Sequence, residues 1–283
     1  MEIATTISSY MKSGFSYEDI MKILISSGIK VLDFPYHAEG YYKANKHHFE
    51  AIKEKANEYG VSFNQVHAPY KTKIDDNSEI DILAEKTISC IKFSKILGAK
   101  TMVVHPLQHL VYSENADELI ELNFNFFKTI IPYAEEYNIQ IALENLWQRD
   151  QNDKIVPSVC GSPAEYLKYL NMLDSDNVCA CLDIGHAVLC KEDPVDFIMH
   201  LGNKLQALHI HENDQKNDLH TLPFVYGTID WKAVINALNK VGYKGDLTFE
   251  TVGFLEKHTP ELLGVATTIM AGIGEELASM NCN

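Results

Sequence analysis

Residues 205–220 read LQALHIHENDQKNDLH, and their reading decides the fold. Apolar residues up to Ile210 have the look of a buried strand, which runs directly into His209, His211, Glu212, Asp214, Asp218 and His220 with no helical period between. Imidazoles and carboxylates are the ligands that borderline and hard divalent ions take. One such residue in a loop is ordinarily satisfied by its neighbours. Several at the end of one strand point to an ion, provided that other strand ends carry the same chemistry.

Working outward, short apolar runs alternate with longer amphipathic ones along the whole chain. The strand candidates are 2–7, 30–34, 62–67, 101–105, 140–144, 178–183, 205–211 and 246–251. Helical patterns follow at 17–27, 45–59, 78–97, 114–137, 162–173, 193–201, 230–241 and 260–280. Ser162-Pro163 and Asp193-Pro194 place proline at a first helical position, and Gly28, Gly60 and Gly98 stand where left-handed caps end helices. Strict alternation implies parallel strands joined by right-handed crossovers. Eight repeats in 283 residues fit a closed (β/α)8 TIM barrel of one domain, 1–283, better than a doubly wound sheet, since no GxGxxG or GxxxxGK[ST] follows a strand.

In such a barrel the active face is built at the C-terminal strand ends. His67 closes strand three, His105 strand four, Glu144 strand five and Asp183 strand six, with His186 three residues on. Strand seven supplies His209 and its loop, and strand eight ends at Glu250. Lysines and arginines fall almost wholly in helices and loops, so carboxylates converging on the barrel mouth have no cationic partner but a metal.

Composition narrows the function. With a formal charge of −15 and Arg149 as the only arginine, the chain is a poor match for an extended nucleic-acid duplex. No run of about 18 apolar residues or basic-then-apolar leader is present, which leads to the expectation of a soluble cytoplasmic protein without a membrane span. The six cysteines (Cys90, Cys160, Cys179, Cys181, Cys190, Cys282) lack CxxC spacing and are expected to be reduced, with Cys179 and Cys181 on one strand face in the core.

VHAPY, VVHP, LEN at Glu144, LDIGHA, HIHEND, DLH at 218–220, YGTIDW and the FE of Glu250 together resemble the xylose isomerase-like TIM barrel superfamily. That superfamily holds sugar and sugar-phosphate isomerases and epimerases, and endonuclease IV. The isomerase branch implies one divalent ion, zinc, manganese or magnesium, on Glu144, Asp183, His209 and Glu250. Glu144 and Glu250 would then move protons through an enediolate, with His186 on the substrate. His209 and His211 share a strand face, and register with the family pattern favours His209 as ligand. The endonuclease IV branch implies a multi-zinc phosphoesterase, adding His67, His105, His186, Asp218 and His220 as ligands to two or three ions.

The endonuclease branch grips a DNA duplex, which this chain's charge disfavours, so the expected substrate is a small molecule, a sugar, sugar phosphate or phosphate ester. Tyr70 and Trp147 are candidate cleft walls, Lys71, Lys73 and Arg149 candidates for a phosphate or terminal hydroxyl, and His211 stands where sugar enzymes often have lysine. The other histidines (His37, His47, His48, His109, His200, His258) read as surface or structural, with His37 the exception to watch because it follows strand two. Nothing in the sequence sets the oligomeric state, and a homo-oligomer is compatible with it.

Overall fold

The computed structural model describes residues 1–36 and 45–280, so His37 and Cys282 lie outside the described residues. Eight parallel strands follow one another around a near-closed barrel: β1 (Ile3–Thr6), β2 (Val31–Pro35), β3 (Ser62–His67), β4 (Thr101–Val104), β5 (Gln140–Glu144), β8 (Val178–Asp183), β9 (Leu205–His209) and β10 (Leu247–Phe249). β10 returns to pair with β1, and the seam between β9 and β10 is closed by a parallel bridge of Ile210 with Phe249. Strand seven therefore ends at His209, two residues before the expected His211, because Ile210 already turns its backbone to the last strand: its N–H donates to Thr248 O at 2.8 Å.

The expected helices are present as α2 (Tyr17–Ser26), α3 (Lys46–Tyr59), α4 (Asn77–Leu97), α5 (Tyr112–Tyr137), α6 (Pro163–Leu173), α8 (Pro194–Leu201), α9 (Trp231–Val241) and α11 (Leu263–Ser279). Side chains of Ser16, Asn45, Asp76, Asp193 and Asp230 accept N–H groups from their first turns, and Gly60 and Gly98 end α3 and α4 in the left-handed conformation. Ser162 makes no such bond, and α6 begins with Pro163 and has Glu165 in its first turn. Three short helices, α1 (Ser8–Lys12), α7 (Ile184–Leu189) and α10 (Val252–Leu255), are too brief to show a period in the sequence. Between β5 and α6 the chain forms an antiparallel hairpin of β6 (Trp147–Arg149) and β7 (Ile155–Pro157).

The two-residue repeat sorts each strand between two cores. On β2, Leu32 and Phe34 face outward, and Phe34 meets Tyr36, Phe49 and Phe63 with ring centroids 5.0–5.9 Å apart. Such edge contacts add roughly 0.5–1.5 kcal/mol each beyond the burial itself. Inside the barrel the side chains are small: Val103, Ala142, Cys179, Cys181 and Ala207 form a separate buried cluster. Among the described residues the five cysteines are free. No helix of the described residues is long and apolar enough to cross a membrane.

Candidate metal centre

The inner-face repeat places the site. Two residues beyond Ala142, Cys181, Ala207 and Val103 come Glu144, Asp183, His209 and His105, while Gln65 precedes His67 and Thr248 precedes Glu250 in the same way. Small side chains thus floor the barrel, and ligand-type side chains cap it.

Glu144 stands at the middle. Its Oε2 lies 3.4 Å from His67 Nε2 and 3.2 Å from His105 Nε2, and those two nitrogens are 3.2 Å apart. Its Oε1 faces the other way, 3.5 Å from His209 Nδ1 and 3.4 Å from His186 Nδ1. Ligand atoms of Glu144, Asp183, His209 and Glu250 all fall within 4.8 Å of one another, as do those of His186, His211, Asp218 and His220. Between the two quartets lies Asp183, with His209 Nδ1 3.8 Å from its Oδ2 and His211 Nε2 2.9 Å from its Oδ1. The two histidines that share a strand face are therefore divided between the quartets: His209 belongs to the central one and His211 to the outer one.

Histidine orientation is fixed by the backbone. Nδ1–H of His67 donates to Ala68 O at 2.9 Å, that of His186 to Asn145 O at 3.0 Å, and that of His220 to Glu250 O at 2.9 Å. Each ring thereby turns Nε2 into the centre, the arrangement by which metal-ligating imidazoles are held. Buried and without a hydrogen-bond partner are Glu144 Oε2, His209 Nδ1 and Asp218 Oδ1, three ligand-capable atoms in one place. Residues present and their orientation fit one ion at the central quartet and further ions on either side.

Electrostatics point the same way. Among the described residues, the ion pairs of Glu144, Asp183, Asp218 and Glu250 are all with imidazoles, and lysine takes no part in them. For His209, burial disfavours the charged ring, but the carboxylates of Glu250 and Glu144 outweigh it and push the ring up to about 10. His220 is likewise raised to about 9, against burial, by Asp218. Burial would lift Glu144 and Asp218, yet the facing imidazoles hold both well below the usual carboxylate range. His105 goes down instead, because its burial outweighs the attraction of Glu144.

The motifs around these side chains are their scaffolding. Asn145 ties β5 to β8 through Asp183, accepting from its N–H at 2.7 Å and donating to its carbonyl at 2.9 Å. Glu212, buried, accepts the N–H groups of Tyr226, Thr228 and Ile229 and so anchors the loop beyond the outer quartet. Gly185 has His211 against it: a Cβ there would sit 2.0 Å from the ring. Gly185→Ala should displace His211 from Asp183, destabilise the fold by about 1–3 kcal/mol in denaturant titration and weaken the outer quartet. A substitution without effect on either would mean that this approach is not needed.

A pocket of about 860 Å³ opens over the centre, lined by Glu144, Glu250, His67, His105, His186, Asp218 and His220. Tyr70 and Trp147 line it, Tyr70 stacking on His105 with centroids 4.3 Å apart. Lys71 and Arg149 do not line it: Lys71 pairs with Glu79, and Arg149 donates to Asp153 O at 2.8 Å. Lys73 is absent from the lining, and His211 is sealed beneath it, hydrogen-bonded to Asp183. The cation that does line it is Lys12, on α1, paired with Glu256.

Asp33 is a residue of the centre that sequence reasoning misses. It faces into the barrel in register with Gln65, fully buried with both oxygens unpartnered, and burial lifts it to about 6 against the pull of His209 and His67. The sequence does carry a signal for it: a lone acid at the inward position of an apolar strand. Gln65 itself lies 3.1 Å from His209 Nε2 and orients that ring.

The family model described as xylose isomerase-like TIM barrel matches residues 22–266. The chain belongs to this family. Among family relatives, an uncharacterized protein of Methanocaldococcus jannaschii is 28% identical over 222 residues, 75% of this chain and 72% of its own length. A probable endonuclease 4 of Mycoplasma mobile is 28% identical over 192 residues, covering 62% of this chain and 64% of that one. Among solved structures, a D-tagatose 3-epimerase-like protein superposes with a TM-score of 0.75 at 22% identity, over 96% of this chain and 99% of that one. That last likeness is one of fold.

Proposed function

We propose that the protein is a divalent-metal-dependent isomerase or epimerase of a small sugar, sugar phosphate or related polyol ketone. One observation carries this reading. Of the central quartet, the carboxylates Glu144 and Glu250 line the pocket, while Asp183 and His209 do not. Two acids on one ion site, both facing the substrate space, are what proton removal and return at adjacent carbons require.

The quartet Glu144, Asp183, His209 and Glu250 would hold the ion, whose mixed nitrogen and oxygen donors suit zinc or manganese better than magnesium. When bound, the ion supplies Lewis acidity toward a carbonyl oxygen. Glu144 and Glu250 then serve as base and acid, each within reach of an imidazole that stabilises its charged form. His186, with Nδ1–H fixed on Asn145, presents Nε2 to a substrate oxygen. Tyr70 and Trp147 exclude water from the sugar faces, and a volume of about 860 Å³ accommodates one monosaccharide with its phosphate.

A second reading, hydrolysis of a phosphate ester on two or three zinc ions, is favoured by a separate observation. Glu144 directs one oxygen to His67 and His105 and the other to His209 and His186, as a carboxylate bridging ions does. The resemblance to a probable endonuclease 4 supports it. A small ester suits it better than a duplex, since among the residues lining the pocket Lys12 is the one ammonium or guanidinium and is already paired.

Two measurements separate the readings. Elemental analysis near one ion per chain supports isomerisation, and two or three ions support hydrolysis. Incubation in deuterium oxide with a panel of ketoses should place label on the carbon beside the carbonyl; a panel that stays unlabelled, with phosphate released from an ester, would reverse the order of the two readings.

A further inference from the structure

The β6–β7 hairpin stands at the barrel mouth and is not needed to close the barrel. Its anchors point in opposite directions, as a strand's alternation dictates. Gln148, at the edge of the pocket, accepts from Tyr112 N at 3.2 Å and donates to Ser158 Oγ at 3.0 Å, so β6 is fastened to the start of α5. Trp147 and Arg149, two residues apart on the other face, reach two positions two residues apart in the ligand-bearing loop. Trp147 Nε1–H donates to Asp218 Oδ2 at 3.2 Å, and Arg149 Nη2 to Lys216 O at 3.5 Å.

The oxygen that Trp147 holds is the one facing the outer quartet. Asp218 Oδ2 lies 3.4 Å from His186 Nε2 and 3.2 Å from His220 Nε2, whereas Oδ1 is buried with no partner. An indole N–H cannot itself take an ion, since it is a donor only. It can occupy one lone pair of Oδ2 and leave the other aimed at the imidazoles, which fixes both rotamer and basicity. From behind, the same loop is seated on the backbone of α10, where a Cβ at Gly253 would meet Leu219 O at 1.9 Å. The loop carrying Asp218 and His220 is therefore held from two sides, one of them the hairpin.

We propose that the hairpin is a brace for the outer ion-binding quartet and that Trp147 is a positioning residue for Asp218, so that an ion at His186, His211, Asp218 and His220 depends on the indole N–H while the central quartet does not. This rests on the second, multi-ion reading above, in which the outer quartet holds an ion and His186 is one of its ligands. It also gives Arg149 a task other than substrate binding: its guanidinium is committed to the Asp153 and Lys216 carbonyls.

The test is a zinc titration of chelator-stripped full-length protein, followed by calorimetry and by indole emission. The chain has two tryptophans, of which Trp231 is buried at the start of α9, so the signal near the centre is that of Trp147. Trp147→Phe keeps a ring in the pocket wall and removes the donor. It should weaken the outer class of zinc sites roughly 10- to 100-fold, the range expected when a ligand loses its supporting hydrogen bond, and leave the central class unchanged. Arg149→Met, at a half-exposed position, should weaken the same class roughly two- to tenfold. Asp218→Asn with Trp147→Phe should lose no more than Asp218→Asn alone, which a merely packing role for the indole would not give.

Titrations of Trp147→Phe and Arg149→Met that superimpose on the wild type would overturn the proposal. Uptake of a single ion by the wild type, unaffected by Asp218→Asn, would overturn it too, yet leave the central quartet standing; no uptake at all would remove the centre itself.

Discussion

Glu144→Gln is expected to empty the centre and to abolish turnover. The substitution keeps the shape and removes the charge that His67, His105, His186 and His209 all face at 3.2–3.5 Å. An amide offers one weak oxygen where the carboxylate offers two, and the buried imidazoles are left with one anion fewer. Breaking a buried charge pair on one side costs on the order of 3–5 kcal/mol, so ion affinity should fall at least 10²- to 10³-fold. Loss of a proton-transferring group alone takes a further factor of roughly 10²–10⁴ from the chemical step. The rings should respond as well: His67 and His209 owe part of their raised pKa to Glu144, and both should titrate lower in the variant. Elemental analysis, single-turnover kinetics and histidine NMR titration check the three effects. A variant that keeps its ions and its rate would show that the reacting atoms lie elsewhere.

Much of this centre is legible in the amino-acid sequence, for a physical reason. A parallel barrel strand is buried on both faces, so an acid or imidazole at its last residue stands out against an apolar run, as Asp183 does after VCACL and Glu144 after QIAL. Register then does the rest, since residues two beyond the small floor side chains must share one mouth. What stays hidden lacks a period. β6 and β7 have three residues each, and α7 has six, so no repeat can mark them.

Side-chain partners are hidden for another reason. Lys71 and Arg149 are candidates for substrate by sequence because they are basic and follow strands β3 and β5, but a long side chain takes whichever carboxylate or carbonyl its own turn supplies, here Glu79 and the Asp153 carbonyl. Lys12 reaches the pocket from α1, a helix of five residues without a sequence signature. Nor can spacing assign His209 and His211, because both point inward; what separates them is the turn of the chain at Ile210.

Ion uptake should be strongly coupled to proton release, and this is the second large effect expected. In the ion-free protein His209 titrates at about 10 and His220 at about 9, both above the ordinary imidazole value near 6.5. At neutral pH both therefore hold a second proton, and because Nδ1 of His220 is committed to the Glu250 carbonyl, its exchangeable proton sits on Nε2, the atom an ion needs. A ligand nitrogen must lose that proton before it can bind. Apparent affinity should consequently rise with pH, up to about tenfold per unit for each proton displaced, and flatten as pH passes through about 9 and then about 10. The sign for stability is opposite. A pKa raised on folding favours the folded state fully below about 6.5 and ceases to as pH climbs through the folded value. Chelated protein should then melt at a lower temperature at pH 10 than at pH 7, while zinc-loaded protein, its imidazoles already neutral and paired with the ion, should lose far less. Calorimetry in buffers of different ionisation enthalpy counts the protons, and thermal melts with and without chelator across this range test the rest. Affinity independent of pH, with no protons released, would mean that these imidazoles meet carboxylates for structure alone.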